Sequence, residues 1–362
     1  MKKIKTIGIA ALIAVWVLLT AFVWFSPAKD ISEAERRQLA QFPELSVQTL
    51  LDGKFMEKFE DYTLDQFPLR DSFRSLKALF SRHVLRQQDN NGIYMADGYI
   101  AELCYPLDDG SVSHALKQFQ TVYDLYLADS GSRVYATVVP DKGYYLAPQS
   151  GHLRMDHEAL FAAVEDGMPW AEYIDITTSL TLEDYYRTDT HWRQENILPV
   201  AQLLADTMGV TISEDYTLTP LERPFYGVYY GQAALPAEAE TLYLMENDLL
   251  RDCRVYNFVT DSYSAVYDMD KLTASDPYDV FLSGAQSLLR IENPNAITDK
   301  ELILFRDSFG SSLAPLLVQD YAAVTLIDIR YIQPQLLGKY VDFTDCDVLF
   351  MYSSLVLNKN LI

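Results

Sequence analysis

The sequence predicts an α/β protein with a mainly parallel sheet covered on both faces, preceded by one N-terminal transmembrane helix. Three observations predict this. Short apolar runs recur along the chain, at Val134-Tyr135-Ala136-Thr137-Val138-Val139, Leu302-Ile303-Leu304-Phe305, Ala323-Val324-Thr325-Leu326-Ile327 and Val348-Leu349-Phe350-Met351. In the C-terminal part, segments with helical character, 311–318 and 333–337, separate them. Strands that are apolar without alternation are buried on both faces, as in parallel sheets flanked by helices. Finally, residues 7–25 carry no charge and follow Lys2, Lys3 and Lys5.

That uncharged run, at 1.5 Å per residue, nearly spans a hydrocarbon core of roughly 30 Å. Trp16 and Trp24 add amphipathic rings, Trp24 at the depth of an interfacial aromatic. The lysines place the N-terminus in the cytoplasm and the rest of the chain outside. The expected organisation is a signal-anchor over 1–28, a stalk over 29–46 and an extracytoplasmic domain over 47–362, single-pass in the cell membrane. Ser26-Pro27-Ala28 also fits a cleavage site, but a signal-peptide core is shorter than this run.

The elements follow in order. Leu50, Leu51, Phe55, Met56 and Phe59, then Leu76, Leu79, Phe80 and Val84, recur at helical spacing, with a break at Phe67-Pro68. The Ala96-Asp97-Gly98 turn between two β-favouring runs marks a hairpin. Residues 112–127 read as an amphipathic helix, 133–139 as a buried strand and 173–176 as a shorter one. Residues 193–208 read as a helix kinked at Pro199 and ended by Gly209. Residues 211–270 show no firm pattern. Val280-Phe281-Leu282 reads as a strand.

With 362 residues, 49% hydrophobic and 13% aromatic, the chain can bury a sizeable core. A formal charge of −22 repels phosphate backbones and excludes a nucleic-acid binder. Cys104, Cys253 and Cys346 have neither disulfide-framework nor zinc spacing. His157-Glu158 lacks the second histidine of a metalloprotease helix, because Phe161 stands in its place. No metal or cofactor is implied.

Two stretches carry chemistry. Arg306-Asp307-Ser308-Phe309-Gly310 follows an apolar strand, and ligands of open α/β sheets bind beyond the carboxyl ends of strands. Ser308 there fits either a nucleophile with helix N–H groups facing a developing oxyanion, or a plain helix cap. Asp189-Thr190-His191-Trp192 places an acid two residues from an imidazole, on the same side of an extended segment. Asp189 would fix the tautomer of His191; a surface histidine before a capped helix fits the same letters. Asp141-Lys142 also follows a strand, so Lys142 could line the cleft, or stand solvated outside it.

Asp189-Thr190-His191-Trp192 resembles the signature of the DHHW proteins, relatives of the alginate O-acetylation proteins with an SGNH-hydrolase-like domain. Further blocks are similar to the family in its order: Asp65-Gln66-Phe67-Pro68-Leu69-Arg70, Asn91-Gly92-Ile93-Tyr94, Pro140-Asp141-Lys142, Phe225-Tyr226-Gly227, Tyr278-Asp279-Val280-Phe281-Leu282 and Ile327-Asp328-Ile329-Arg330-Tyr331. Coverage runs from about residue 32 to about 358. The resemblance implies a three-layer α/β/α sandwich and Ser308, His191 and Asp189 as the catalytic set. It implies acetyl transfer onto a polysaccharide, with a membrane-bound O-acyltransferase as the partner supplying acetyl groups. Gly284, Gln286, Lys142 and Trp192 are then expected at the oxyanion site and its rim. The chain departs from the family where Ser283-Gly284-Ala285 replaces an expected Gly-Gly-Asn, which removes an oxyanion donor unless Gln286 or backbone amides serve. A glycan-binding module without catalysis, or a simple acetylesterase, is the alternative.

Overall fold

The computed structural model describes residues 2–32 and 34–362, without the side chains of residues 2–5 and Trp24. The expectations placed on Lys2, Lys3, Lys5 and Trp24 therefore lie outside the described side chains. The chain divides into two compact units, Met1–Asn90 with Tyr230–Pro236, and Asn91–Tyr229 with Ala237–Ile362.

The first unit opens with the helix Lys2–Phe25. Its stretch Thr6–Val23 is long and apolar enough to cross a membrane, consistent with a single-pass anchor. Helices Val47–Leu51, Lys54–Asp65 and Arg70–His83 follow. Phe42 packs edge-on against Phe55, Phe59 and Tyr62. Asp65 accepts two bonds from the Arg37 guanidinium, and Glu35 pairs with Arg70 and Arg74.

The second unit is built on an eight-stranded sheet. Its strands are β1 Arg133–Val139, β2 Glu172–Tyr173, β3 Arg254–Asn257, β4 Ser262–Ser264, β5 Leu288–Glu292, β6 Glu301–Arg306, β7 Ala323–Ile327 and β8 Asp347–Ser353. They lie in the order β4-β3-β5-β7-β6-β8-β1-β2. From β7 through β2 the pairing is parallel, with Leu304 opposite Leu349 and Leu349 opposite Tyr135. From β7 to β4 it is antiparallel.

Alternate residues of the parallel strands feed two cores. Tyr135, Val139, Leu302, Leu304, Leu349 and Met351 pack with residues of helices Leu198–Met208 and Phe309–Leu317. Val134, Ala136, Val138, Ile303, Phe305, Val348 and Phe350 pack with residues of helices Asp109–Val122 and His157–Gly167. Both faces are thus covered, which is why these strands lack polar alternation.

Several expectations are corrected. Pro199 does not kink a helix but stands in the first turn of Leu198–Met208, where its missing N–H costs nothing. A separate 3₁₀ turn, Gln194–Asn196, precedes it. Val280-Phe281-Leu282 is not a strand. Pro277–Val280 forms a 3₁₀ turn capped by Asp276, and Leu282 and Ser283 have φ of 54° and 59°, which breaks extension. The strand expected over 173–176 is the two-residue β2. The helix expected over 333–337 is the 3₁₀ segment Pro334–Lys339. The expected hairpin forms as Ile93–Ala96 and Tyr99–Glu102, with Asp97 and Gly98 both at positive φ, as a tight two-residue turn requires.

Phe350 stacks on Phe305 at 4.4 Å between ring centroids and also meets Phe119 and Trp170. Truncation there leaves a cavity in the layer under β6 and β8. Phe350→Ala is expected to lower the unfolding free energy by about 3–5 kcal/mol in urea titration; a loss below about 1 kcal/mol would contradict this packing.

Candidate active site

The site assembles where β6 ends. Asp307 stops the strand: its Oδ1 accepts from Phe309 N at 3.0 Å and its Oδ2 from Ser353 N at 2.8 Å. The helix Phe309–Leu317 thus has its turn fixed by Asp307, and Ser308 makes no side-chain cap bond. Ser308 Oγ instead lies 2.7 Å from His191 Nε2. The two roles open to Ser308 from sequence differ in this hydrogen bond, and the hydroxyl is engaged by the imidazole.

His191 Nδ1–H donates to Asp189 Oδ1 at 2.6 Å, which leaves Nε2 as the acceptor for the Ser308 hydroxyl. Asp189 and His191 do share one site, but not through an extended segment. The chain bends, and His191 N also donates to Asp189 Oδ1 at 3.0 Å, so the carboxylate closes a local turn. Asp189 Oδ2 accepts from Val228 N at 2.8 Å. The carboxylate is fully buried.

The loop is held from three sides. The segment Phe225-Tyr226-Gly227 passes so close that a Cβ on Gly227 would overlap Asp189, and Gly227 N donates to Thr188 Oγ1. Glu240 accepts from the N–H groups of Arg187 and Thr188 and from the Thr188 hydroxyl, at 2.7, 2.8 and 2.6 Å. Lys142 Nζ donates to the carbonyls of Tyr186 and Arg187 at 2.8 and 3.2 Å, and lies 5.1 Å from the Tyr229 ring centroid. Lys142 is 2% exposed: it ties the loop from beneath and does not stand solvated.

The imidazole stacks on Tyr278, with ring centroids 3.9 Å apart and planes at 6°. Tyr278 Oη donates to Ser312 Oγ at 2.9 Å, and Trp192 Nε1 donates to the same oxygen at 2.9 Å. Ser312 lies on the helix that Ser308 begins, so one hydroxyl aligns the ring under His191 and the indole beside it. Trp192 was expected at the rim; it is fully buried and meets Phe309 edge-on. A side chain of that size with one N–H is better satisfied in the core.

Gly284 and Gln286 lie in the loop after Phe281. Gly284 N donates to Phe281 O at 3.2 Å. Gln286 Oε1 accepts from Asn257 at 2.9 Å, and its Nε2 donates to Ser283 O at 3.2 Å. The carboxamide is thus turned toward β3. Leu282, Ser283 and Gly284 all have positive φ, a strained run that costs on the order of 1–3 kcal/mol per non-glycine residue. Tyr278 and Glu240 escaped the sequence reading. Tyr278 opens the segment Tyr278-Asp279-Val280-Phe281-Leu282, which carries no signal for stacking, and Glu240 reaches the loop from 52 residues away in the chain.

Burial pushes the Lys142 ammonium down to about 7, against the pull of Asp189, Glu240 and Asp141. The unfolded chain keeps the proton up to the ordinary value of 10.5. Burying the charged form therefore costs stability in full below pH 7, and the cost fades as pH rises toward 10.5. Urea unfolding at about pH 7 and pH 10 should show wild type gaining stability relative to Lys142→Met as pH rises; an unchanged difference would contradict the burial.

Among solved structures, a DHHW family protein from Eubacterium siraeum is 20% identical over 75% of this chain and 94% of that one, with a TM-score of 0.60. Bacillus cereus PatB1 carrying a sulfonyl adduct is 16% identical over 74% of this chain and 96% of that one, with a TM-score of 0.58. A second structure of PatB1 gives 16%, 75%, 99% and 0.56. At these identities the likeness is one of fold, and it agrees with the SGNH-like α/β/α arrangement. No curated protein matches the chain. Residues 174–327, which hold Asp189, His191, Trp192 and Ser308, match the family model described as DHHW protein.

Proposed function

We propose that the protein is a membrane-anchored acyl-transfer enzyme that O-acetylates a cell-surface or secreted polysaccharide outside the cytoplasm. The observation that carries this reading is the pair of contacts at His191, to Ser308 at 2.7 Å and to Asp189 at 2.6 Å. Ser308 Oγ attacks the acetyl carbonyl while its proton passes to His191 Nε2. Asp189 holds the ring and stabilises the imidazolium. The carbonyl oxygen takes the negative charge, facing the Ser308 N–H at the helix start. Collapse expels the donor's leaving group, which takes the proton from Nε2 and leaves an acetyl ester on Ser308. A sugar hydroxyl then attacks that ester, giving its proton to Nε2, and Ser308 recovers a proton as the product departs. Water in place of the sugar gives an esterase.

The donor side needs an acetyl group supplied across the membrane, and a membrane-bound O-acyltransferase fits that role. The second reading is a glycan-binding module on the same fold. It is favoured by the oxyanion side: Ala285 offers no donor, Gly284 N–H is spent within its turn and Gln286 is turned to Asn257.

Intact-mass analysis after a p-nitrophenyl acetate pulse tests the reading. One acetyl adduct on Ser308 is expected, and Ser308→Ala should abolish it. Gln286→Ala should change the acylation rate less than about twofold, against the 10²–10³ lost when a true oxyanion donor is removed. Absence of any adduct from the folded wild type would leave the glycan-binding module.

A further inference from the structure

The helix Arg70–His83 is built inside out. Its buried residues are Ala78 and Ser81, at 1% and 5% exposure. On that side Arg74 donates to Gly231 O at 2.8 Å and pairs with Glu35, as does Arg70. The apolar residues fall on the opposite side. Leu69, Phe73, Leu76, Phe80 and Val84 follow at intervals of three and four, which aligns them in one stripe. Their exposures are 68, 46, 61, 52 and 61%. A soluble helix turns this stripe to its core, and contiguous exposed apolar surface marks an interaction site.

We infer that this stripe docks on the bilayer, so that the helix lies in the lipid interface beside the anchor that tethers it. Three observations favour lipid as the occupant. First, the stripe begins 44 residues after the membrane helix ends at Phe25, so the tether holds it at high effective concentration near that surface. Leu45, Val47, Leu50 and Leu51 between them are exposed too. Second, beyond Arg70 and Arg74, which pair with Glu35, residues 70–86 carry the cations Lys77, Arg82 and Arg86 against the single carboxylate Asp71. That balance suits anionic headgroups, with long basic side chains flanking an apolar face. Third, residues 26–90 hold ten cations and eleven carboxylates, near neutrality, in a chain of net charge −22. The membrane-proximal segment is the part of the extramembrane chain that an acidic surface does not repel.

The test uses the full chain in vesicles of phosphatidylcholine with phosphatidylglycerol. A nitroxide is attached at Phe80→Cys, at Leu76→Cys in a second protein, and at Asp71→Cys on the other side of the helix. The native cysteines are buried, so labelling is directed to the new thiol. Power-saturation measurements compare collisions with oxygen, which partitions into lipid, and with a water-soluble nickel complex. The oxygen-to-nickel ratio at Phe80 and Leu76 should exceed that at Asp71 several-fold. Equal ratios at all three sites would overturn the inference, since the stripe would face water. Spin–spin broadening removed by diluting with unlabelled protein would overturn it in favour of a second copy, and loss of collisions with both reagents in favour of a protein partner.

Discussion

The buried Asp189 carboxylate is the constraint from which the site follows. One oxygen serves His191 twice, through the ring Nδ1 and the backbone N–H, and the other accepts from Val228. A buried carboxylate must be fully satisfied or it is expelled. Each of those donors is fixed in turn. Gly227 lets the strap close on Asp189, Glu240 holds the amides of Arg187 and Thr188, and Lys142 holds the carbonyls of Tyr186 and Arg187. The imidazole is therefore positioned by the backbone of a loop and by the Tyr278 ring, with little freedom of its own.

A second buried group stands at the end of β1 and ties the same region to the sheet. Asp141 accepts from His157 Nε2 at 2.7 Å and from Ser354 Oγ at 2.8 Å. Burial pushes its carboxyl up, but the His157 and Ser354 bonds win and hold it below the ordinary value. Ser354 donates to the carboxylate and not to the imidazole, so this cluster has the residue types of a nucleophile system without its connectivity. Its place is structural: it joins β1 to β8 directly before Lys142. The distinction between the two Asp-His-Ser sets lies in which atoms face each other, which composition does not reveal.

Much of the site was legible in the sequence because it is local. Asp189 and His191 are two residues apart, and Ser308 follows an apolar strand at a position where α/β sheets bind ligands. The parallel strands were legible because both their faces are buried. The antiparallel strands β3 and β4 were not, since Tyr256, Asn257, Ser262 and Ser264 are exposed or half-buried and carry no apolar run; in β5 Leu288, Leu289 and Ile291 are buried, but Arg290 interrupts the run. The supports of the loop were hidden for a different reason. Glu240, Lys142 and Ser312 act through backbone groups or shared hydroxyls across long sequence separations, and any polar residue in a loop presents the same letter. Trp192 and Gln286 were expected at the site from the family resemblance, whereas Trp192 is buried in the core and the Gln286 carboxamide bonds to Asn257 and Ser283.

Asp189 is proposed to orient His191 so that it activates Ser308. That role is tested most directly by the rate at which a sulfonyl fluoride modifies Ser308 in wild type and in Asp189→Asn, with the modified residue mapped by peptide mass spectrometry. Single modification at Ser308 is expected in wild type, with a slowing of about 10³–10⁴-fold in the folded variant, because the asparagine stabilises the wrong tautomer and no imidazolium. Equal rates in the two proteins, or modification at another residue, would contradict that role.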